Sequence, residues 1–104
     1  MAPATVSVIY PPGTKFDMDY YLKKHMPLVQ ASWASYGLKS WKVAQYTNED
    51  AIVSVQAWLE WEESDQFAKA VDTPVGKAIF EDVPNFSDKS PSTLIGAVTG
   101  GQSW

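Results

Sequence analysis

At 104 residues, 45% of them hydrophobic, the chain is long enough to enclose one core and too short for two domains. Eight lysines and no arginine stand against twelve carboxylates, for a net charge of -4; without guanidinium groups for bidentate phosphate or base contacts, a nucleic-acid partner is excluded. There is no cysteine, hence no disulfide framework or thiolate metal site, and no apolar run approaches the roughly 18 residues of a membrane span.

Met1–Thr5 lacks the basic start of a signal peptide, so a cytoplasmic protein without a membrane partner is expected. Five tryptophans, five tyrosines and four phenylalanines exceed what a small core needs. Such rings favour subunit interfaces and pocket walls, and they point to a partner subunit, an apolar ligand, or both.

Thr5 to Tyr10 alternates as a strand, with Val6, Val8 and Tyr10 on one side, and Pro11-Pro12-Gly13 ends it. Asp17 is placed as the N-cap or a first-turn acid of a helix, aided by Asp19. At helical spacing Met18, Leu22, Met26, Val29, Trp33 and Tyr36 share one sector, with His25 near its middle. Pro27 lacks a donor and clashes with the carbonyl of Lys23, which predicts a kink, or one helix ending near His25 and another starting at Pro27. Gly37 marks the end of the helical region.

Leu38 to Tyr46 reads as a second strand and Thr47–Asp50 as a turn. Ile52 to Trp61 is the strongest strand, with Val53, Val55, Ala57, Leu59 and Trp61 on one face and Ile52, Ser54, Gln56, Trp58 and Glu60 on the other. A helical segment begins at Ser64–Phe67. Thr73-Pro74 resembles a cap followed by proline, so Val75 to Phe80 forms another short helix. Val83–Pro91 is a long loop, and Thr93 to Thr99 is the last strand before a Gly100-Gly101 tail and Trp104.

The order strand, helix, strand, strand, helix, strand is that of an α+β, ferredoxin-like βαββαβ domain over residues 1–104 with short flexible ends. It predicts a four-stranded antiparallel sheet with its helices on one face. The bare face of such a sheet is expected to pair with a second copy as a homodimer.

His25, the only histidine, titrates near neutral pH and falls on the apolar helix face. It reads as a general acid or base facing an apolar pocket, or as a helix histidine satisfied by a carbonyl or carboxylate. Tyr21, one turn away, is the second catalytic candidate, placed to donate a hydrogen bond to a ligand carbonyl or phenolate. Tyr20 projects elsewhere as a loop or sheet contact, although a kink at Pro27 would reverse the two. Phe16 reads as a hydrophobic staple or a cavity lid. Asn85 and Phe86, in a polar loop, are candidate ligand contacts. Trp41, Trp58 and Trp61 belong to core or interface, with Trp58 the one expected to reach a cavity.

A single histidine with scattered carboxylates makes no metal site. No phosphate loop, dinucleotide fingerprint or serine elbow is present, and without arginine to pair its propionates haem is disfavoured, so no cofactor is expected.

The segment Phe16-Asp17-x-x-Tyr20-Tyr21-x-x-x-His25-x-Pro27-Leu28-Val29 resembles the signature of the EthD-like family, and Phe67, Pro74, Gly76 and Asp82–Asp88 follow its pattern in order. The resemblance implies a dimeric alpha-beta barrel with a cavity in each subunit. Relatives of that family include cofactor-free oxygenases, cyclases, isomerases and haem proteins. The function expected on this basis is a cofactor-independent enzyme moving a proton on a small hydrophobic aromatic or polyketide-like metabolite. Cyclisation, isomerisation, decarboxylation and oxygenation all fit, and a non-catalytic binding or accessory protein is the alternative.

Overall fold

Prolines at both ends set the limits of the central strand. In the computed structural model, which describes residues 3–102, β1 spans Ala4–Tyr10, β2 Leu38–Gln45, β3 Val55–Trp61 and β4 Ser92–Ala97. They form one antiparallel sheet of order β2-β3-β1-β4. The β1–β3 ladder stops at Tyr10↔Val55, where Pro11 and Pro12 offer no N–H to continue it. Ser54 closes that end by donating its N–H to the Tyr10 carbonyl (2.8 Å) and its hydroxyl to that of Pro11 (2.8 Å). The third strand therefore starts at Val55 and not at Ile52, whose side chain is 86% exposed. The last strand ends at Ala97 short of Thr99, because its partner begins at Ala4, just after Pro3. Met1, Ala2, Ser103 and Trp104 lie outside the described residues.

The first helical region is where sequence periodicity and structure part. Asp17 caps α1 (Met18–Tyr20), its side chain accepting the Tyr20 N–H at 3.0 Å. A π-helical turn, Tyr21–His25, follows and leads into α2 (Met26–Trp33). The N–H of Met26 reaches back to the carbonyl of Tyr21, five residues earlier. Pro27 falls in the first turn of α2, the position where a proline's missing N–H and fixed φ are best tolerated. The backbone stays right-handed helical through His25 and Met26, so the expected break near His25 takes the form of a π turn that ends there, with α2 starting beside Pro27. One residue more per turn rotates the inward face, so Tyr21, His25 and Met26 are all buried, while Leu22 points outward at 42% exposure. Tyr36 also lies outside the core, in a 3-10 turn, Ala34–Tyr36, that ends at Gly37 with φ 111°.

The return helices are α3 (Gln66–Val71) and α4 (Pro74–Glu81). Thr73 caps α4, its hydroxyl accepting the Gly76 N–H at 3.0 Å, as the Thr73-Pro74 pair predicts. The helices cover one sheet face. Between them lies the core of Val6, Tyr10, Met26, Val29, Trp33, Val55, Leu59, Trp61, Phe67 and Ile79. The loop after α4 is more ordered than its composition predicts. It opens with a 3-10 turn, Val83–Asn85, and then pairs Ser87 with Phe16 across an isolated bridge. That clasp holds the start of the first helix against the end of α4.

Candidate functional site

The clasp brings two distant carboxylate and imidazole groups together. Asp82 follows α4, its N–H bonded back to Ala78 and Ile79, and its side chain turns toward the π turn. Nδ1 of His25 lies 2.9 Å from Oδ2 of Asp82. The other carboxylate oxygen accepts the Tyr20 hydroxyl at 2.6 Å and the Asn85 amide at 2.8 Å. An ionised carboxylate only accepts hydrogen bonds, so His25 is the Nδ1–H tautomer and Nε2 is its free nitrogen.

The electrostatics separate the two groups. Burial pulls the His25 imidazole below its ordinary 6.5, against the opposing pull of Asp82. Burial alone would raise Asp82; the hydrogen bonds from Tyr20, Asn85 and His25 overcome it and hold the carboxyl below 3.8. Tyr20, by donating to that carboxylate, is raised above 10.0. The resting state at neutral pH is a neutral imidazole oriented by a charged carboxylate. This arrangement suits a general base, because the imidazolium formed on accepting a proton is stabilised by its partner.

Behind the imidazole stands a wall of rings. Tyr21 stacks on His25 at 5.2 Å between centroids with planes 13° apart, and Phe86 packs at 4.5 Å. Phe16 meets Tyr21 and Phe86 edge-on at 4.8 and 5.3 Å. In front lies a cavity of about 30 Å³ lined by Tyr10, Tyr21, His25, Met26, Trp33 and Val83 among others. The lining carries no lysine, aspartate or glutamate. Its volume is that of one or two water molecules.

Of the residues singled out from the sequence, His25 and Tyr21 share this cavity. Asn85 holds Asp82, while Phe16 and Phe86 pack the wall behind the imidazole instead of lining the cavity. Trp58 is not brought to it. Strand alternation sends its side chain to the sheet face away from the helices, where Lys42 Nζ sits 5.2 Å from the ring centroid. Tyr20, read as a loop or sheet contact, is instead the strongest ligand of the carboxylate. The sequence marks Asp82 only as the first residue of the Asp82–Asp88 run, without a role. The Asp82…Asn85 spacing signals a local side-chain bond, but nothing local points to a histidine 57 positions away. Among the described residues no helix is long and apolar enough to cross a membrane, and no group of three or more acidic or histidine side chains converges as a metal site.

The sheet order, the helices on one face and the cavity beneath them define the ferredoxin-like α+β class. No family model matches the chain, and no curated protein does. Solved structures do. An EthD-like protein from Ralstonia eutropha is 24% identical, with 99% of this chain and 97% of that chain covered and a TM-score of 0.82. An ethyl tert-butyl ether D (EthD) family protein from Bacillus halodurans is 20% identical, with 95% and 100% covered and a TM-score of 0.69. A dimeric ferredoxin-like protein of unknown function from Thermobifida fusca is 11% identical, with 94% and 92% covered and a TM-score of 0.60. The chain has the fold of these EthD-like and ferredoxin-like proteins over nearly its whole length.

Proposed function

We propose that this chain is an EthD-like homodimer whose cavity performs proton transfer on a small, uncharged, hydrophobic carbon acid, aromatic or polyketide-like in character. The observation that carries the reading is the His25–Asp82 pair beside an apolar cavity. A carboxylate-oriented neutral imidazole removes a proton, and a dry aromatic wall strengthens the electrostatics of that step. The uncharged lining favours a neutral substrate, since an anion there would lose its hydration without meeting a cation. A ring is larger than the cavity, so its entry displaces part of the wall.

The fold supports the homodimer. Helices leave one sheet face bare, the edge strand β4 is exposed along its length, and a structural neighbour is described as dimeric.

The second reading is a non-catalytic binding or accessory protein, and the small cavity volume favours its accessory form. Proton exchange separates the two. The α-protons of 2-tetralone, a neutral aromatic ketone, are expected to exchange with D2O faster with the protein than in buffer. His25→Ala is expected to abolish the acceleration while the protein stays folded. Saturable binding without accelerated exchange supports the binding reading, and full acceleration in His25→Ala removes the histidine from the chemistry.

A further inference from the structure

Two phenols share the cavity with His25, and neither is the one that holds Asp82. Tyr10 ends β1 and is 1% exposed; Tyr21 opens the π turn and is 2% exposed. Their rings meet edge-on, 6.3 Å between centroids. The hydroxyls of Tyr20 and Tyr46 are committed to Asp82 and Gln56 at 2.6 and 2.8 Å. Tyr10 and Tyr21 are the tyrosines that line the cavity. We propose that they form a donor pair, in which the Tyr10 hydroxyl orients and polarises that of Tyr21, and Tyr21 donates to the carbonyl oxygen of an enolisable ketone.

This inference rests on the proton-transfer reading and narrows its substrate class. Burial pushes both phenols well above their ordinary 10.0, Tyr10 further through its neighbour Tyr21. Both stay protonated, so they act as donors and leave the base role to His25. The α C–H bond breaks and its proton goes to Nε2 of His25. The bonding pair forms the carbon–carbon double bond of an enolate, and the carbonyl π pair moves onto the oxygen, to which the Tyr21 hydroxyl donates a hydrogen bond. The imidazolium N–H exchanges with D2O, and return of a deuteron from Nε2 to the carbon regenerates the ketone with one α-proton exchanged. Tyr21 touches the substrate; Tyr10 is a positioning residue. Neighbouring hydrogen bonds polarise one another, which gives Tyr10 an effect beyond packing.

The test uses 2-tetralone exchange and two conservative variants, each keeping its ring. Tyr21→Phe is expected to lower kcat for exchange by about 100-fold, the effect of one lost oxyanion donor. Tyr10→Phe is expected to lower it about tenfold with KM changed less than about twofold, as for an orienting partner one bond removed. The double variant loses no more than Tyr21→Phe alone. An unchanged kcat in Tyr10→Phe, or a double variant that loses the product of both effects, overturns the pair. Binding gives a second readout that needs no turnover, followed by tryptophan fluorescence. Wild type prefers 2-tetralone to tetralin, its hydrocarbon counterpart, and the preference vanishes in Tyr21→Phe. Equal affinities in wild type overturn the donor pair even where exchange is seen. A ketone preference that depends on Tyr21, without exchange, instead overturns the proton-transfer reading.

Discussion

Nδ1 of His25 and Oδ2 of Asp82 meet at 2.9 Å across 57 positions of sequence. The contact fixes the imidazole tautomer and joins the π turn to the end of α4. Asp82→Asn keeps the shape but offers an amide in place of an anion, so it neither enforces the Nδ1–H tautomer nor stabilises the imidazolium. Ketone exchange is expected to fall by about 10²–10⁴-fold, the range of general-base contributions. Wild-type exchange rates in Asp82→Asn would show that His25 works without its partner.

Stability is expected to follow pH through the same pair. His25 is pulled below 6.5 and Asp82 below 3.8 in the folded chain, so the unfolded chain binds more protons between each folded and unfolded value. Stability is therefore full above pH 6.5, falls as pH drops from there toward the lower pKa of folded His25, and levels off below it. A second loss begins near pH 3.8. Urea denaturation at pH 8, 6.5, 5.5 and 4.5 reads the first phase, and His25→Gln is expected to remove it. Stability that rises on acidification from pH 7 to 5.5 would reverse the sign assigned to His25.

The π turn makes its own stability prediction. Leu22 lies on the apolar sector of a regular helical wheel, yet it points to solvent, while Met26 is 1% exposed. Leu22→Ala is expected to change stability by about 0.5 kcal/mol or less. Met26→Ala, which leaves a cavity under the turn, is expected to cost about 2–5 kcal/mol. Chemical denaturation of the two variants decides, and a Leu22→Ala cost as large as that of Met26→Ala would restore a regular helix through Tyr21–His25.

These cases separate what a sequence exposes from what it conceals. Asp17 and the Thr73-Pro74 pair are legible because a cap acts within three residues. Alternation over β1 and β3 is legible because strands bury every second side chain, and it already sets Trp58 apart from Leu59 and Trp61. Trp58 does not reach the His25 cavity, because the helices lie on the other face; it lines a surface pocket with Trp41 and Lys42. The π turn is hidden, since a wheel of fixed period has no place for an extra residue, and Pro27 announces an irregularity without its form. Asp82 is hidden for a different reason. Its partner is chosen by the clasp between Phe16 and Ser87, which exists only after the two ends of the fold meet.

The bare face of the sheet carries the last prediction. Register places Ser7 of β1 between Trp58 of β3 and Leu94 of β4, with Lys42 beyond Trp58. This row faces away from the helices, and Leu94 is 55% exposed. Packing the face against a second copy buries it about a two-fold axis, and at about 25 cal/mol per Å² its apolar area supplies the association energy. A stable interface needs about 1,200 Å² or more in total, which requires most of the face and not one edge. Light scattering is expected to give twice the protomer mass. Ser7→Glu with Leu94→Glu puts carboxylates at the centre of that contact, where desolvation and mutual repulsion oppose association, and is expected to yield a folded monomer. A double variant that remains a dimer would place the interface elsewhere, and a monomeric wild type at millimolar concentration would dismiss the paired sheets altogether.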